Sequence, residues 1–411
     1  MIYSLTRRDT IAVVNHVSCL PSSKSISNRL LLLNILSGNG VAPENVSESD
    51  DTKVMLEALK GDLSHVDVGA AGTSMRFLTA YLALTAGKHV ITGSERMKQR
   101  PISLLVEALR TLGAQIDYVE KEGYPPLRIV GGTLNGDTIE VDGSVSSQYI
   151  SALLMIAPLV KGGLRMRLYG KINSRPYIAM TLALMERFGA KYEWVGDNIR
   201  VLGSGYDYVP LSVESDWSAA SYWYSIAAFT PGCEYHLRGL EKKSLQGDSE
   251  VVRIAAGLGI TTTFTDTDVV IKADGTVPAV YSYDFSQQPD LAQTFVVSCC
   301  LLNVKFVFTG LESLKIKETD RITALVVEMR KLGYELITND KDTISWAGMQ
   351  VEIKHPATMS TYKDHRMAMA FAPAALVVDS IRIDDPMVVT KSYPRYWEDL
   401  SMVLNIESLE G

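Results

Sequence analysis

The strongest constraint on the fold of this chain is an internal repeat, in which a short polar segment precedes an apolar run. The segments are anchored at Lys24, Thr73, Ser147, Ser218, Asp290 and His365. The first two anchors are 49 residues apart, and each later pair is separated by 71 to 75 residues. Recurrence at such a period indicates one supersecondary unit used repeatedly. The sequence therefore predicts six related units.

The first of these segments predicts the start of a buried helix. Pro21 has no amide hydrogen for a strand ladder, and Ser22 and Ser23 are favourable N-cap residues. The run from Leu30 to Leu36 is apolar nearly all round, as in a helix without a solvated face. Lys24 lies in the first turn, where a cation opposes the helix dipole. This placement is explained if an anion binds there, and it is also consistent with a solvated helix start.

The later units share one plan after the first helix. A strand ending in glycine, a polar loop, a second helix ending in glycine and a hairpin follow, and a last strand leads into the next unit. The first unit has no room for a hairpin between Leu59 and Gly69, which accounts for its short spacing. We expect an α/β fold of βαβαββ units, three in each of two similar domains, residues 18–213 and residues 1–17 with 214–411. The segment from Ile11 to Leu20 is predicted to be a strand that leads into the first helix.

Composition and charge exclude several classes of function. The net charge of −7 argues against nucleic acid or an anionic membrane as the main partner. Four cysteines, Cys19, Cys233, Cys299 and Cys300, show neither metal-ligand spacing nor a disulfide framework, and free thiols are typical of a reducing compartment. The N-terminal residues lack the apolar run of a signal peptide, and no stretch is long and apolar enough for a membrane span. These features predict a cytoplasmic protein without a metal site, and we also expect it to be a monomer.

The loops and helix starts of the units carry the residues that are suited to chemistry. Their cations are Lys24, Arg29, Arg76, Arg100, Lys317, Arg321, His365, Arg366 and Lys391. Such a concentration in an acidic protein suits a small substrate with phosphates and carboxylates, which arginine holds bidentately. Two carboxylates, Asp290 and Glu318, fall at the same points of the repeat and are candidate general bases. A charged run such as Lys315 to Arg321 is also consistent with a solvated face.

Six motifs in order along the chain resemble the 5-enolpyruvylshikimate-3-phosphate synthase family. They are Pro-Ser-Ser-Lys-Ser-Ile-Ser-Asn-Arg (21–29), Gly-Thr-Ser-Met-Arg (72–76), Gln-Arg-Pro-Ile (99–102), Asp-Gly-Ser-Val-Ser-Ser-Gln (142–148), Lys-Glu-Thr-Asp-Arg (317–321) and Asp-His-Arg-Met-Ala (364–368). The resemblance implies two domains of inverse α/β barrel type that close on substrate, with the active site in the cleft between them. It also implies transfer of the enolpyruvyl group of phosphoenolpyruvate to the 5-hydroxyl of shikimate 3-phosphate through a non-covalent tetrahedral intermediate, without a cofactor.

The resemblance assigns roles to individual residues of this chain. It implies that shikimate 3-phosphate binds to Lys24, Ser25, Arg29, Ser146, Ser147, Gln148, Ser174, Tyr177, Asp290 and Lys317. Phosphoenolpyruvate, and glyphosate in its place, would contact Lys24, Gly72, Arg100, Gln148, Arg321, Arg366 and Lys391. Asp290 would accept the proton of the attacking hydroxyl, and Glu318 with Lys24 would serve proton transfer at the methylene carbon. Further candidates for the site are Thr73, Arg76, Ser313 and His365, and no metal ligand is implied.

The chain departs from the family pattern at two positions of the site, and two other functions are alternatives. Ala70 and Ser313 stand where family members commonly have asparagine. The related UDP-N-acetylglucosamine enolpyruvyl transferase carries a reactive cysteine before its Arg-Pro pair, and Gly93 to Pro101 contains no cysteine. A non-catalytic anion-binding repeat protein would not need Asp290 and Glu318 among the cations.

Overall fold

A computed structural model describes residues 1–17, 20–136, 138–144, 146–353 and 356–409. Cys19, predicted as a free thiol, lies outside these residues, whereas Cys233, Cys299 and Cys300 are free. The chain divides into two compact units, Met1–Pro21 with Glu214–Gly411 and Ser22–Val213. We call them the discontinuous unit and the continuous unit.

The helices and strands recur in the predicted alternation. The helices of the described residues are α1 (Lys24–Leu36), α2 (Asp50–Lys60), α3 (Gly72–Leu84), α4 (Ser103–Thr111), α5 (Ser147–Ile156), α6 (Arg175–Arg187), α7 (Trp217–Phe229), α8 (Val251–Ala256), α9 (Ala292–Leu301), α10 (Arg321–Lys331), α11 (His365–Phe371) and α12 (Tyr396–Leu400). The strands are β1 (Ile2–Arg7), β2 (Val14–Val17), β3 (His65–Asp67), β4 (Gly87–Thr92), β5 (Gln115–Tyr118), β6 (Leu127–Gly131), β7 (Thr138–Asp142), β8 (Leu164–Tyr169), β9 (Tyr192–Val195), β10 (Asn198–Val201), β11 (Glu234–Arg238), β12 (Ile260–Phe264), β13 (Asp268–Ala273), β14 (Val280–Asp284), β15 (Lys305–Thr309), β16 (Ile337–Thr338), β17 (Ile344–Trp346), β18 (Ala357–Met359), β19 (Ile381–Asp384) and β20 (Leu404–Leu409).

Within the described residues, the strands form five four-stranded sheets that share one plan. In the sheet ordered β7-β8-β10-β9, β7 and β8 are parallel, and the hairpin of β9 and β10 adds antiparallel strands. The sheets β3-β4-β6-β5 and β14-β15-β17-β16 repeat this arrangement. The unit that contains α1 and α2 has instead an isolated parallel bridge between Glu44 and Ser212. The predicted α/β repeat is therefore confirmed, with its first copy reduced.

The two N-terminal strands belong to sheets of the discontinuous unit. β1 lies between β19 and β20, and β2 pairs in parallel with β11. Of the predicted strand over Ile11 to Leu20, β2 covers Val14–Val17, whereas residues 11–13 and Leu20 are not in a strand. Residues 18 and 19 of this prediction lie outside the described residues. The Asn15 side chain donates to the Ala12 carbonyl at 2.6 Å, which closes a turn just before the paired residues.

Local capping chemistry fixes where the helices begin and end. Ser23 accepts from the Ile26 amide at the start of α1, as predicted, and Asp364 accepts from the Arg366 amide at the start of α11. Gly113 and Gly333 follow the ends of α4 and α10 with φ of 97° and 93°, conformations that glycine adopts without strain. The cap residue sets where a helix begins, and so it determines which residues lie in the first turn. Within the described residues, helices that combine the length and apolarity needed to cross a membrane are absent.

Candidate active site

A network of ion pairs in the discontinuous unit is centred on Arg321, the first residue of α10. Its side chain is buried, and its Nε and Nη2 donate to the two carboxylate oxygens of Asp364 at 2.7 and 3.1 Å. Nη1 donates to Asp290 at 3.2 Å, and Nη2 also donates to Glu318 at 3.0 Å. Burial opposes the charge of Arg321, but the carboxylates of Asp364, Glu318 and Asp290 outweigh it and hold the pKa of the guanidinium above its usual value. The guanidinium group of Arg321 therefore holds three carboxylate groups in fixed positions.

The two candidate catalytic carboxylates each have a second cation. Asp290 Oδ2 lies 2.9 Å from Arg366 Nη2, and Asp290 Oδ1 lies 3.9 Å from Lys317 Nζ. Glu318 Oε1 lies 2.6 Å from Lys391 Nζ. The structure thus brings Asp290, Lys317, Glu318, Arg366 and Lys391 together around Arg321. These predicted residues come from four separate segments of the chain.

The fold explains how these side chains reach one place. Asp320 caps α10 by accepting from the Thr323 amide at 3.2 Å, and Asp364 caps α11, so that Arg321 and Arg366 both lie in a first helical turn. Asp290 does not cap α9, whose N-cap is Leu291, and instead lies in the 3-10 turn Pro289–Leu291. Its carboxylate therefore faces the cations rather than the backbone of its own helix.

A further carboxylate lies near this network and was not singled out in the sequence. Asp248 is buried and accepts a short hydrogen bond from Ser218 Oγ at the start of α7. Burial, and then the charge of Asp290, raise the pKa of Asp248 to about 6. Its sequence context, Gln-Gly-Asp-Ser-Glu, has the composition of an ordinary polar loop, so composition alone gave no signal.

In the continuous unit, the starts of α1 and α3 are joined through Asp51. Lys24 Nζ lies 3.1 Å from Asp51 Oδ2. The Asp51 carbonyl accepts from Ser74 Oγ in α3 at 3.1 Å. Asp51 was not predicted, because an acidic residue in the first turn of a helix is ordinary. The pair nevertheless holds the predicted catalytic lysine next to the helix start that carries Gly72 and Thr73.

The starts of α3 and α5 form a second group in this unit. Gln148 Nε2 donates to Thr73 Oγ1 at 3.2 Å. A Cβ atom added to Gly72 would lie 2.6 Å from Arg100 Nη1 and 3.0 Å from Nη2. The Arg100 guanidinium therefore packs directly on the backbone of α3. The buried Arg100 Nε has no hydrogen-bond partner among the described residues, which suits a group that meets a ligand.

Besides Arg100, the buried Arg29 and Arg76 of the continuous unit bind protein atoms. Arg29 donates to Thr181 Oγ1 at 2.7 Å, to the Ser25 carbonyl at 2.9 Å and to Ser151 Oγ at 3.0 Å. Burial lowers the pKa of Arg29 to about 10. Arg76 donates to the Gly72 carbonyl at 3.3 Å and to the Pro101 carbonyl at 3.1 Å, so it ties the α3 start to the loop that carries Arg100.

The remaining predicted residues also lie at helix starts or in loops. Ser146 is the N-cap of α5 and accepts from the Gln148 amide, and Ser147 begins that helix. Ser174 precedes α6 in the left-handed conformation, and Tyr177 lies in its first turn. His365 is buried beside Asp364, with Nδ1 3.8 Å from Oδ1. Ser313 Oγ is buried, with no hydrogen-bond partner among the described residues.

The combination of cations, paired carboxylates and repeated α/β units defines a class of protein. Arginine and lysine at helix starts suit a polyanionic substrate, and carboxylates held at 2.6 to 3.2 Å from cations suit proton transfer. These features are those of an enzyme that acts on a small polyanion.

Comparison with known proteins identifies the family. Residues 61–400 match the family model for EPSP synthase, 3-phosphoshikimate 1-carboxyvinyltransferase. A curated enzyme of that name from Bacteroides fragilis is 56% identical over 382 residues, 93% of each chain, and one from Aliivibrio fischeri is 36% identical over 419 residues, 95% of this chain and 97% of the other. The solved EPSP synthase of Acinetobacter baumannii shares the fold with a TM-score of 0.78, at 20% identity and with 99% and 100% of the two chains covered.

The chain belongs to the EPSP synthase family. It is a transferase of the shikimate pathway, in which the family transfers the enolpyruvyl group of phosphoenolpyruvate to shikimate 3-phosphate for aromatic amino-acid biosynthesis. The resemblance predicted from the six motifs is confirmed. The two alternatives, a UDP-N-acetylglucosamine enolpyruvyl transferase and a non-catalytic repeat protein, are not supported.

Proposed function

We propose that the family reaction is carried out in this chain by the residues that the motifs predict, with the two compact units acting as its two domains. Shikimate 3-phosphate is held by Lys24, Ser25, Arg29, Ser146, Ser147, Gln148, Ser174, Tyr177, Asp290 and Lys317. Phosphoenolpyruvate is held by Lys24, Gly72, Arg100, Gln148, Arg321, Arg366 and Lys391. The acceptor is the 5-hydroxyl group, and the intermediate is tetrahedral and not bound covalently to the protein.

The observation that carries this proposal is that Asp290 and Glu318 share one guanidinium while each contacts a different second cation. Arg321 and Arg366 fix both oxygens of Asp290 at 3.2 and 2.9 Å. Lys391 and Arg321 do the same for Glu318 at 2.6 and 3.0 Å. Two separately held carboxylates suit two separate proton transfers.

In the proposed mechanism, each of the two carboxylates has its own proton-transfer role. Asp290 accepts the proton of the 5-hydroxyl group while the oxygen of that hydroxyl attacks C2 of phosphoenolpyruvate. Glu318, with Lys24, delivers a proton to the methylene carbon and later removes one, so that the double bond re-forms as phosphate leaves. The neighbouring cations stabilise the negative charge of the phosphate and carboxylate groups through both steps.

Besides its proposed contact with shikimate 3-phosphate, Arg29 holds neighbouring segments of the site in place. It bonds the carbonyl oxygens of Ser25 and, at 3.4 Å, of Tyr177, both of which belong to proposed ligand residues. A buried guanidinium that fixes two ligand-bearing segments reduces the ordering that substrate binding requires.

We further propose that the protein works as a cytoplasmic monomer without a cofactor, with neither nucleic acid nor membrane as a partner.

The test is phosphate release from phosphoenolpyruvate and shikimate 3-phosphate by the wild-type protein and by Glu318→Gln. General acid–base catalysis is worth about 10²–10⁴-fold, so kcat is expected to fall by that order while shikimate 3-phosphate binding persists. The matched control is Glu335→Gln, which removes a carboxylate 3.2 Å from Arg330 on the surface of the same unit. Equal kcat values for the two variants would reject the role of Glu318. Absence of phosphate release by wild type would reject the function itself.

A further inference from the structure

A cluster of two histidines and a carboxylate lies on one sheet of the discontinuous unit, on residues that have no role in the proposed reaction. The sheet has the order β12-β13-β11-β2. His16 of β2 lies directly opposite His236 of β11, and Asp268 of β13 lies opposite Arg238, two residues further along β11. Their strand neighbours Val17, Leu237 and Val269 are buried. Because side chains alternate along a strand, His16, His236 and Asp268 share the other face.

The potential ligand atoms of this face are close to one another. The His16 and His236 rings have centroids 4.5 Å apart. His236 Nδ1 lies 3.7 Å from Asp268 Oδ2. One ligand atom from each of the three residues lies within 4.8 Å of the others. His16 and His236 are remote in sequence, which is why residue spacing predicted no metal site.

A fourth side chain orients His236. Its Nε2 lies 2.7 Å from Glu234 Oε1, within hydrogen-bond distance. When Nε2–H donates to that carboxylate, the lone pair of Nδ1 points toward the Asp268 oxygen, and a nitrogen and an oxygen that both accept then face each other. Histidine ligands of metal ions commonly donate their second ring nitrogen to a carboxylate in this way. A cation between Nδ1, Asp268 and His16 satisfies all three acceptors.

We propose that His16, His236 and Asp268 bind a divalent transition-metal ion, of which Zn²⁺ is the best fit, with Glu234 positioning His236. Two imidazoles and one carboxylate favour Zn²⁺ and related ions over Mg²⁺ or Ca²⁺, which prefer oxygen ligands. Bonds of about 2.0–2.1 Å in tetrahedral geometry place ligand atoms about 3.3 Å apart, so small side-chain rotations from the observed separations suffice. Arg238 Nε lies 3.5 Å from Asp268 Oδ1, which leaves Oδ2 for the ion.

The site joins β2 to the rest of its sheet. A metal ion held by β2, β11 and β13 binds the folded unit and not the unfolded chain, so it raises the melting temperature. The Arg321 network uses none of these residues. Removal of the ion is therefore expected to leave kcat unchanged.

The experiment uses the full chain without an affinity tag, because a histidine tag binds the same ions, after dialysis against a chelator. Calorimetric titration with ZnCl₂ is expected to show one saturable site, and Co²⁺ to give a visible ligand-field spectrum. Glu234→Gln is expected to weaken Zn²⁺ binding about 10–100-fold, and His16→Ala or His236→Ala by at least as much. His65→Ala, which removes an exposed histidine from β3, is the control and is expected to bind like wild type.

The outcomes separate the alternatives. Loss of Zn²⁺ binding in His16→Ala and His236→Ala, with unchanged circular dichroism and kcat, supports the site. Asp268→Asn is a milder variant for use if an alanine variant does not fold, and it is expected to weaken binding in the same direction. The proposal would be overturned if the folded variants bound Zn²⁺ with wild-type affinity, or if His65→Ala lost as much Zn²⁺ affinity as they do. It would also be overturned if the wild-type protein showed no saturable binding below about 1 mM Zn²⁺.

Discussion

Replacement of Asp290 by asparagine separates the catalytic role of this residue from its role in the ion-pair network. Asparagine keeps the shape of the side chain and one accepting oxygen but removes the charge. The network loses an acceptor charge that Arg321 Nη1 and Arg366 Nη2 contact at 3.2 and 2.9 Å. The remaining oxygen can still accept from one of the two guanidinium groups.

The two roles have different expected magnitudes. Loss of one hydrogen bond to a charged group lowers the free energy of unfolding by about 1.5–3 kcal/mol. Loss of a general base lowers kcat about 10²–10⁴-fold. Neutralising one carboxylate also leaves the nearby cations less compensated, so the affinity for shikimate 3-phosphate is expected to stay the same or increase.

The assay combines kcat from phosphate release, substrate affinity by calorimetry and stability by urea unfolding. Asp364→Asn is the informative comparison, because Asp364 binds the same Arg321 at 2.7 and 3.1 Å but has no proposed part in proton transfer. We expect Asp364→Asn to be the less stable variant and Asp290→Asn to be the less active. A kcat for Asp290→Asn within a few-fold of wild type, or equal kcat losses in both variants, would refute the assignment of Asp290 as the base.

Three other substitutions test other parts of the molecule. Gly72→Ala places a methyl group 2.6 Å from Arg100 Nη1, so KM for phosphoenolpyruvate and the inhibition constant of glyphosate should rise in steady-state assays, with little change in shikimate 3-phosphate affinity. Arg321→Lys keeps the charge but cannot bridge three carboxylates, and urea unfolding should show a loss of about 1.5–3 kcal/mol. Asp248 has a folded-state pKa of about 6 against 3.8 in the unfolded chain, so the folded state binds more protons and stability falls as pH rises from about 4 to about 6. Between pH 4 and pH 7 this fall is on the order of 2 kcal/mol, and urea unfolding at the two pH values should show that it is lost in Asp248→Asn.

Helix starts and the repeated unit could be predicted from sequence because their determinants are local. Ser23 caps α1 through the amide three residues ahead, and Asp364 caps α11 through the amide two residues ahead. The glycine after α4 and that after α10 are likewise read from the few residues around them. A pattern of this kind needs no knowledge of the distant chain.

The partners of the site residues could not be predicted, because they come from remote segments. Arg321 appeared in the sequence within a charged run, and its main partner Asp364 is 43 residues away. Lys24 is paired with Asp51, 27 residues away, across a helix and a loop. The alternation of apolar and polar residues in β2 indicated a strand, but nothing in that strand specifies β11 as its neighbour. Convergence of charges within each unit is a property of packing, which no single motif contains.

The position of β1 has a consequence for the order in which the chain folds. The continuous unit is one uninterrupted segment and can form its sheets as soon as residue 213 is available. β1, in contrast, pairs on both sides with strands from the last part of the described chain, β19 and β20. During synthesis it has neither neighbour until nearly all the other strands have been made, and contacts of such long sequence separation form slowly. Pulse-labelling by hydrogen exchange should therefore protect the amides of β7 and β8 well before those of β1, although β1 precedes them in the chain.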